Sequence, residues 1–175
     1  LLAVNIAYHA VGANMRRNDR EVTGIVGIEE ILLQCKTCHV AMIDGDLPYV
    51  VPLSYGYQIL HGSILELYFH SALEGKKLTV LKHNNKVCFE MAREGKLVQT
   101  ETPCNSGYYF ASIIGFGEVV FIDDIDEKCN ALSIIFKHQA NRDAKFTAEQ
   151  ANNVCVFKIV STDFTGKQKP LLNAE

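Results

Sequence analysis

The chain has 175 residues, 48% hydrophobic and 21% charged, with a net charge of -3 and an isoelectric point near 6.1. That length supports one domain with an ordinary core, and scattered basic residues on a mildly acidic chain give no footprint for nucleic acid. No apolar run reaches the ~20 residues of a membrane-spanning helix.

Residues 1–14 are apolar, and the basic Met15-Arg16-Arg17 follows them instead of preceding them. An export signal has the opposite order. The segment 1–14 is therefore expected to be an N-terminal extension, with a single domain over 15–175. Apolar spacing predicts a helix over 23–34, with Ile28, Ile31 and Leu32 on one face. A strand over 38–43, an Asp-Gly turn at 44–46 and a returning strand over 48–55 read as a hairpin. A third strand is expected over 64–70, a helix over 74–83 and a fourth strand over 86–92. Residues 93–106 read as a polar connection. A long strand follows over 108–122, where Gly115 and Gly117 suggest a bend or bulge. The chain should close with a helix over 124–139, a short helical turn within 141–150 and a last strand over 154–164. The expected class is mainly β (α+β): six antiparallel strands curling into a small barrel, with flanking helices.

Six cysteines are spread along a chain that has enough core without disulfides. Cys88 and Cys155 sit inside apolar runs and read as small buried thiols, which fits a reducing, cytoplasmic compartment. Cys35-Lys36-Thr37-Cys38-His39 is a literal match to the c-type haem attachment pattern. It spans a helix end and a strand start, so Cys38 and His39 should point to opposite faces, and the match reads as coincidence. No second Cys-x-x-Cys exists to complete a zinc site, and no metal is assigned. The acidic run Asp123 to Glu127 reads as charge at a helix N-terminus. Gly115-Phe116-Gly117 lies within a strand and is not a dinucleotide fingerprint.

The segment Leu67 to Lys77 carries the strongest chemical signal. An apolar strand leads through His70, Ser71 and Ala72 to Gly75-Lys76-Lys77 at a helix start. Ser71-x-x-Glu74 has capping-box spacing. Gly75 permits close approach, and two lysines sit at the helix end where the dipole disfavours them. A phosphate suits that corner. The preceding strand, Val51, Pro52, Leu53, Ser54 and Tyr55, offers a flat apolar edge for a ring system.

These segments, with Met15 to Arg20, Tyr109 to Gly117 and Thr165-Gly166-Lys167, resemble the pyridoxamine 5'-phosphate oxidase-like, flavin-binding split-barrel proteins, and within them the nitroimidazole-resistance branch. The resemblance covers nearly all of the chain from Met15 to Lys169. It implies a homodimer with flavin mononucleotide (FMN) at the interface. Val51 to Tyr55 would lie along the isoalloxazine. His70, Ser71, Ala72, Gly75, Lys76 and Lys77 would meet the phosphate and ribityl chain, and Ser112 and Ile113 would approach from the partner. His70 would be the catalytic group. The implied function is FMN-dependent reduction of a small electron-poor acceptor such as a nitroaromatic. The alternatives are a haem-handling protein with His70 or His39 as ligand, or a non-catalytic flavin carrier.

Overall fold

The computed structural model describes residues 17–169; the segment 1–14 lies outside the described residues. In chain order the elements are β1 (Glu21–Val22), α1 (Ile25–Gln34), β2 (Thr37–Asp44), β3 (Leu47–Ser54), β4 (Gly56–Leu60), β5 (Ile64–Ser71), α2 (Lys76–His83), β6 (Lys86–Val98), β7 (Gly107–Ile122), α3 (Ile125–Ala140), α4 (Ala148–Asn152) and β8 (Cys155–Lys169). Their pairing is antiparallel throughout, in the order β3-β2-β6-β7-β8-β5-β4, with β1 added beside β8.

The sheet's two ends explain its shape. β3 and β4 are the outermost strands on opposite ends of the order, yet only Tyr55 separates them in the chain. The sheet must curl until its ends meet at Tyr55, and no ladder joins them. The result is a split barrel that is not closed. It has eight strands where six were expected. The extra strands are the two-residue β1 and the five-residue β4, which lies between the strands expected over 48–55 and 64–70. β6 also continues to Val98 through a register shift between Arg93 and Lys96, so the first six residues of the expected connection are strand. The β7–β8 ladder shifts at Gly117, the bulge that the glycines suggested.

Alternation sends one side-chain set inward. Leu65, Leu67, Phe69, Phe89, Phe157 and Ile159 fill the barrel, each fully buried, and each such residue contributes about 1.5–3 kcal/mol of transfer free energy. A second cluster, including Tyr68, Ile122, Leu132 and Ile135, forms where α3 covers β5. The acidic run does what its charge implied: Asp124 caps α3, its side chain accepting from the N–H groups of Asp126 and Glu127.

The C-terminal end of α3 fixes the split. Gln139 Nε2 donates to the carbonyls of Tyr55 (2.8 Å) and Lys36 (3.0 Å). Buried His138 places Nε2 2.9 Å from the Cys35 carbonyl and lies against the Tyr55 ring, 4.7 Å between centroids. The tyrosine's hydroxyl donates to the Leu32 carbonyl at 3.0 Å. Gly56 makes the approach possible: a Cβ there would lie 2.6 Å from Ile135 Cα.

Candidate functional site

β3 is an edge strand, bonded to β2 alone. Pro48 and Pro52 explain how it tolerates that role. Proline has no N–H to give a ladder, so its positions must face the open side. Val50 and Ser54 share their parity and present backbone groups to the same open edge. Side chains alternate along the strand: Val51 and Leu53 are half-buried, whereas Pro52 and Ser54 are exposed. Tyr55 differs from the rest of its segment. Its ring is fully buried and its phenol pKa is driven far up by desolvation. Any contact from Tyr55 to a ring system would come from backbone.

The corner after β5 departs from its expected local structure. α2 starts at Lys76, with Gly75 as N-cap and no side-chain cap bond. Ser71 is therefore too far from the first helical turn to cap it, and the expected capping box does not form. Its hydroxyl instead donates to the Ala72 carbonyl at 2.9 Å. Residues 72–75 stay irregular and exposed. Gly75 has φ 145°, and a Cβ built on it would meet nothing within 4 Å. The backbone is thus open to a guest, with the uncapped N–H groups of Lys76 and Lys77 beside it.

The two lysines part company. Lys76 Nζ pairs with Asp44 at 2.8 Å and lies 4.7 Å from the Tyr49 ring centroid, so it reaches back to the β2–β3 hairpin. Lys77 is half-buried. Among the described residues no carboxylate pairs with it, and its charge acts on His70. Desolvation first, and Lys77 second, hold the His70 imidazole below its usual pKa, so it is neutral at pH 7.

β5 places Glu66, Tyr68 and His70 on the face that α3 covers. At the end of that face opens a cavity of about 440 Å³. Ser54 and His70 both line it, with Gln139 and Gln150 as its other polar groups. Leu132, Ile135, Phe136, Phe146 and Val154 form the apolar wall. Ser54 and His70 come from the two segments singled out in the sequence. The α3 and α4 residues were missed. Leu132, Ile135, Phe136 and Gln139 follow helical spacing, and that stripe looks like any core-facing helix face.

Ser112 lies on the outer sheet face, in a row with Ala92 and Lys167. Ile113 points inward and is fully buried, so only its backbone is available to a neighbour. The Cys-x-x-Cys-His segment has no attachment geometry. Cys35 and Cys38 are free and buried, and burial pushes the Cys35 thiol up to about 11. His39 points outward, with Nδ1 3.1 Å from Glu90 Oε2. Cys88 and Cys155 are only half-buried, contrary to expectation: Cys88 sits on the outward row with Ala41 and Phe116, whereas Cys155, at the start of β8, packs against the barrel core from its end. Among the described residues no group of three or more metal-ligating side chains occurs, and no helix is long and apolar enough to cross a membrane.

A sequence model of the pyridoxamine 5'-phosphate oxidase family matches residues 27–168. A proposed 5-nitroimidazole antibiotic resistance protein from Bacteroides thetaiotaomicron is 34% identical with a TM-score of 0.74, the match covering 85% of this chain and 86% of that one. The flavocytochrome Anf3 from Azotobacter vinelandii is 18% identical with a TM-score of 0.70, covering 92% of this chain and 75% of that one. An FAD- and haem-binding protein from Mycobacterium smegmatis is 15% identical with a TM-score of 0.72, covering 89% of this chain and 76% of that one. These last two likenesses are of fold. No curated protein matches the chain.

Proposed function

The chain belongs to the pyridoxamine 5'-phosphate oxidase family, and we propose that within it the protein is an FMN-dependent oxidoreductase that reduces a small electron-poor acceptor of the nitroaromatic class. One observation carries the reading. Ser54 from the ring-edge strand and His70 from the phosphate corner line one cavity, although each was singled out separately. The nitroimidazole-resistance relative supports the acceptor class.

The residues fit a phosphorylated flavin. Uncapped N–H groups at the α2 N-terminus, open backbone at Gly75 and the ammonium of Lys77 suit its phosphate. The Ser71 hydroxyl would turn from Ala72 to join them. The open edge of β3 from Val51 to Ser54 suits the polar rim of the ring. Bound there, the flavin supplies two-electron transfer. His70, neutral at pH 7, would donate a hydrogen bond from its ring N–H to the acceptor's oxygen, and its protonated form, populated as pH falls through the lowered pKa, would pass a proton to the reduced acceptor. The apolar wall limits water at the side of the reacting face that it covers.

The active form in this reading is a homodimer. Val50, Ala41, Cys88 and Phe116 are register partners across four strands, as are Pro52, His39, Glu90 and Ile114 in the next row. Both rows face outward, and Val50 (53% exposed), Phe116 (53%) and Ile114 (48%) are unusually bare for their size. Such a patch marks an interface. A second copy is its occupant here, because Ser112 lies in the following row of the same face and would reach the partner's site.

The test is the absorbance spectrum and cofactor stoichiometry of freshly purified protein. A flavin spectrum at one FMN per chain is expected, and Lys77→Ala should weaken FMN binding by about 10- to 100-fold. A haem Soret band without flavin, or unchanged FMN affinity in Lys77→Ala, overturns the reading.

A further inference from the structure

We propose that the cavity between α3, α4 and the end of β5 is the acceptor's own pocket, and that it selects an uncharged planar ring with polar acceptor atoms while rejecting anionic relatives of that ring. Only the electron source rests on the flavin reading above; the binding preference is set by the lining.

The walls are built for a flat apolar body. Phe136 and Phe146 meet nearly edge to face, 69° between planes and 6.1 Å between centroids. Leu132 and Ile135 close the side toward β5. A volume of about 440 Å³ suits a substituted ring, within the usual range for small-molecule sites.

The polar groups decide the charge preference. Gln139 spends its amide N–H groups on Lys36 and Tyr55, which leaves its oxygen as an acceptor. Gln150 is arranged the other way. Its oxygen accepts from the Thr147 N–H at 2.9 Å, so its amide N–H groups remain as donors. Ser54 and His70 add a hydroxyl and an imidazole N–H. The pocket therefore offers neutral donors to nitro or carbonyl oxygens and one acceptor to a ring N–H.

None of the lining side chains carries a fixed charge. The cations nearby are turned to other work. The Arg142 guanidinium stacks on the Phe136 ring at 5.3 Å, and Lys137 pairs with Asp143 at 3.0 Å. Lys77 serves the phosphate corner. A carboxylate or phosphate seated against the Phe136, Phe146 and Leu132 wall would give up part of its water and meet no fixed counter-charge among the lining side chains. Phosphorylated pyridoxines are thereby disfavoured as substrates.

Isothermal titration of the FMN-loaded protein with nitrobenzene and with 4-nitrobenzoate tests this. The two probes share a ring and a nitro group and differ in one carboxylate. Nitrobenzene should bind at least about tenfold more tightly. Phe146→Ala should weaken nitrobenzene by about tenfold while leaving FMN affinity unchanged; Phe146→Leu serves if the alanine variant fails to fold. Equal or tighter binding of 4-nitrobenzoate overturns the proposal, as does an unchanged nitrobenzene affinity in both variants. Nitrobenzene that binds apoprotein and is displaced by FMN would assign the cavity to the cofactor, which also overturns it. Failure of the flavin reading is separate: no FMN binds at all, and the titration on apoprotein still reports the pocket's preference.

Discussion

At the level of single residues, the site rests on a division of labour that identical chemistry conceals. Lys76 and Lys77 are adjacent and equally basic, and nothing in residue type or spacing separates them. Geometry separates them, because Asp44 and Tyr49 hold one and leave the other beside His70. Lys76 is directed back to the β2–β3 hairpin, away from the corner, so it is expected to matter less for FMN than Lys77. His70 is where this has a kinetic signature. Its folded pKa lies below the usual histidine value, through desolvation and then through Lys77. A proton donor of this kind becomes more effective as pH falls through that lowered pKa. The acceptor-reduction rate should therefore rise on acidification below about pH 6.5. Lys77→Ala, measured at saturating FMN, removes the like charge and should move that rise to higher pH. A pH–rate profile of His70→Gln should be flat in the same window. An identical acidic limb in His70→Gln would assign the proton to another group.

At the level of elements, the sequence revealed those with strong periodicity and missed those fixed by contact. α3 was legible because the acidic run through Asp124, Asp126 and Glu127 marks a helix N-terminus. The β2–β3 hairpin was legible from Asp-Gly. β4 was not, because the strand break at Tyr55 is made by tertiary anchors from α1 and α3 that no local pattern encodes. The delayed start of α2 was hidden by a capping-box spacing that the φ of 145° at Gly75 overrides. The two segments that meet at the cavity, through Ser54 and His70, stood out for the reverse reason, since their residue types are unusual where they stand. The cavity's helical wall was unreadable because its residues are ordinary there. Gly56 tests the anchoring argument directly. An alanine Cβ would lie 2.7 Å from both the carbonyl carbon and oxygen of Ile134, as well as against Ile135 Cα. Backbone on a helix pinned at its C-terminus has little room to yield. Gly56→Ala should cost about 2–3 kcal/mol in urea unfolding. It should also weaken nitrobenzene binding, because α3 carries the cavity wall. A loss below about 0.5 kcal/mol would mean that α3 is loosely held and that the split is set elsewhere.

At the level of the whole molecule, the curl of one sheet produces two surfaces with different work. Its concave side is the filled barrel. Its outer side from β3 to β7 keeps aliphatic and aromatic side chains in water, against the usual polar-out alternation of a half-solvated antiparallel sheet. The His39–Glu90 contact lies within that surface, and in the proposed homodimer a second copy would have to match it in register. A two-fold interface repeats every change, so one substitution alters the patch twice. Phe116 is the best place to act. It is 53% exposed and lies on the outward face beside the Ile114 row, where a lysine can extend into water. Folding should be unchanged within about 0.5 kcal/mol. Analytical ultracentrifugation of Phe116→Lys at micromolar concentration should show monomer where the native chain shows dimer. If Ser112 of one chain completes the site of the other, FMN content should fall with the dimer fraction across a dilution series. Monomers that keep full FMN content would place the whole site within one chain. An undiminished dimer would move the interface to another face of the barrel.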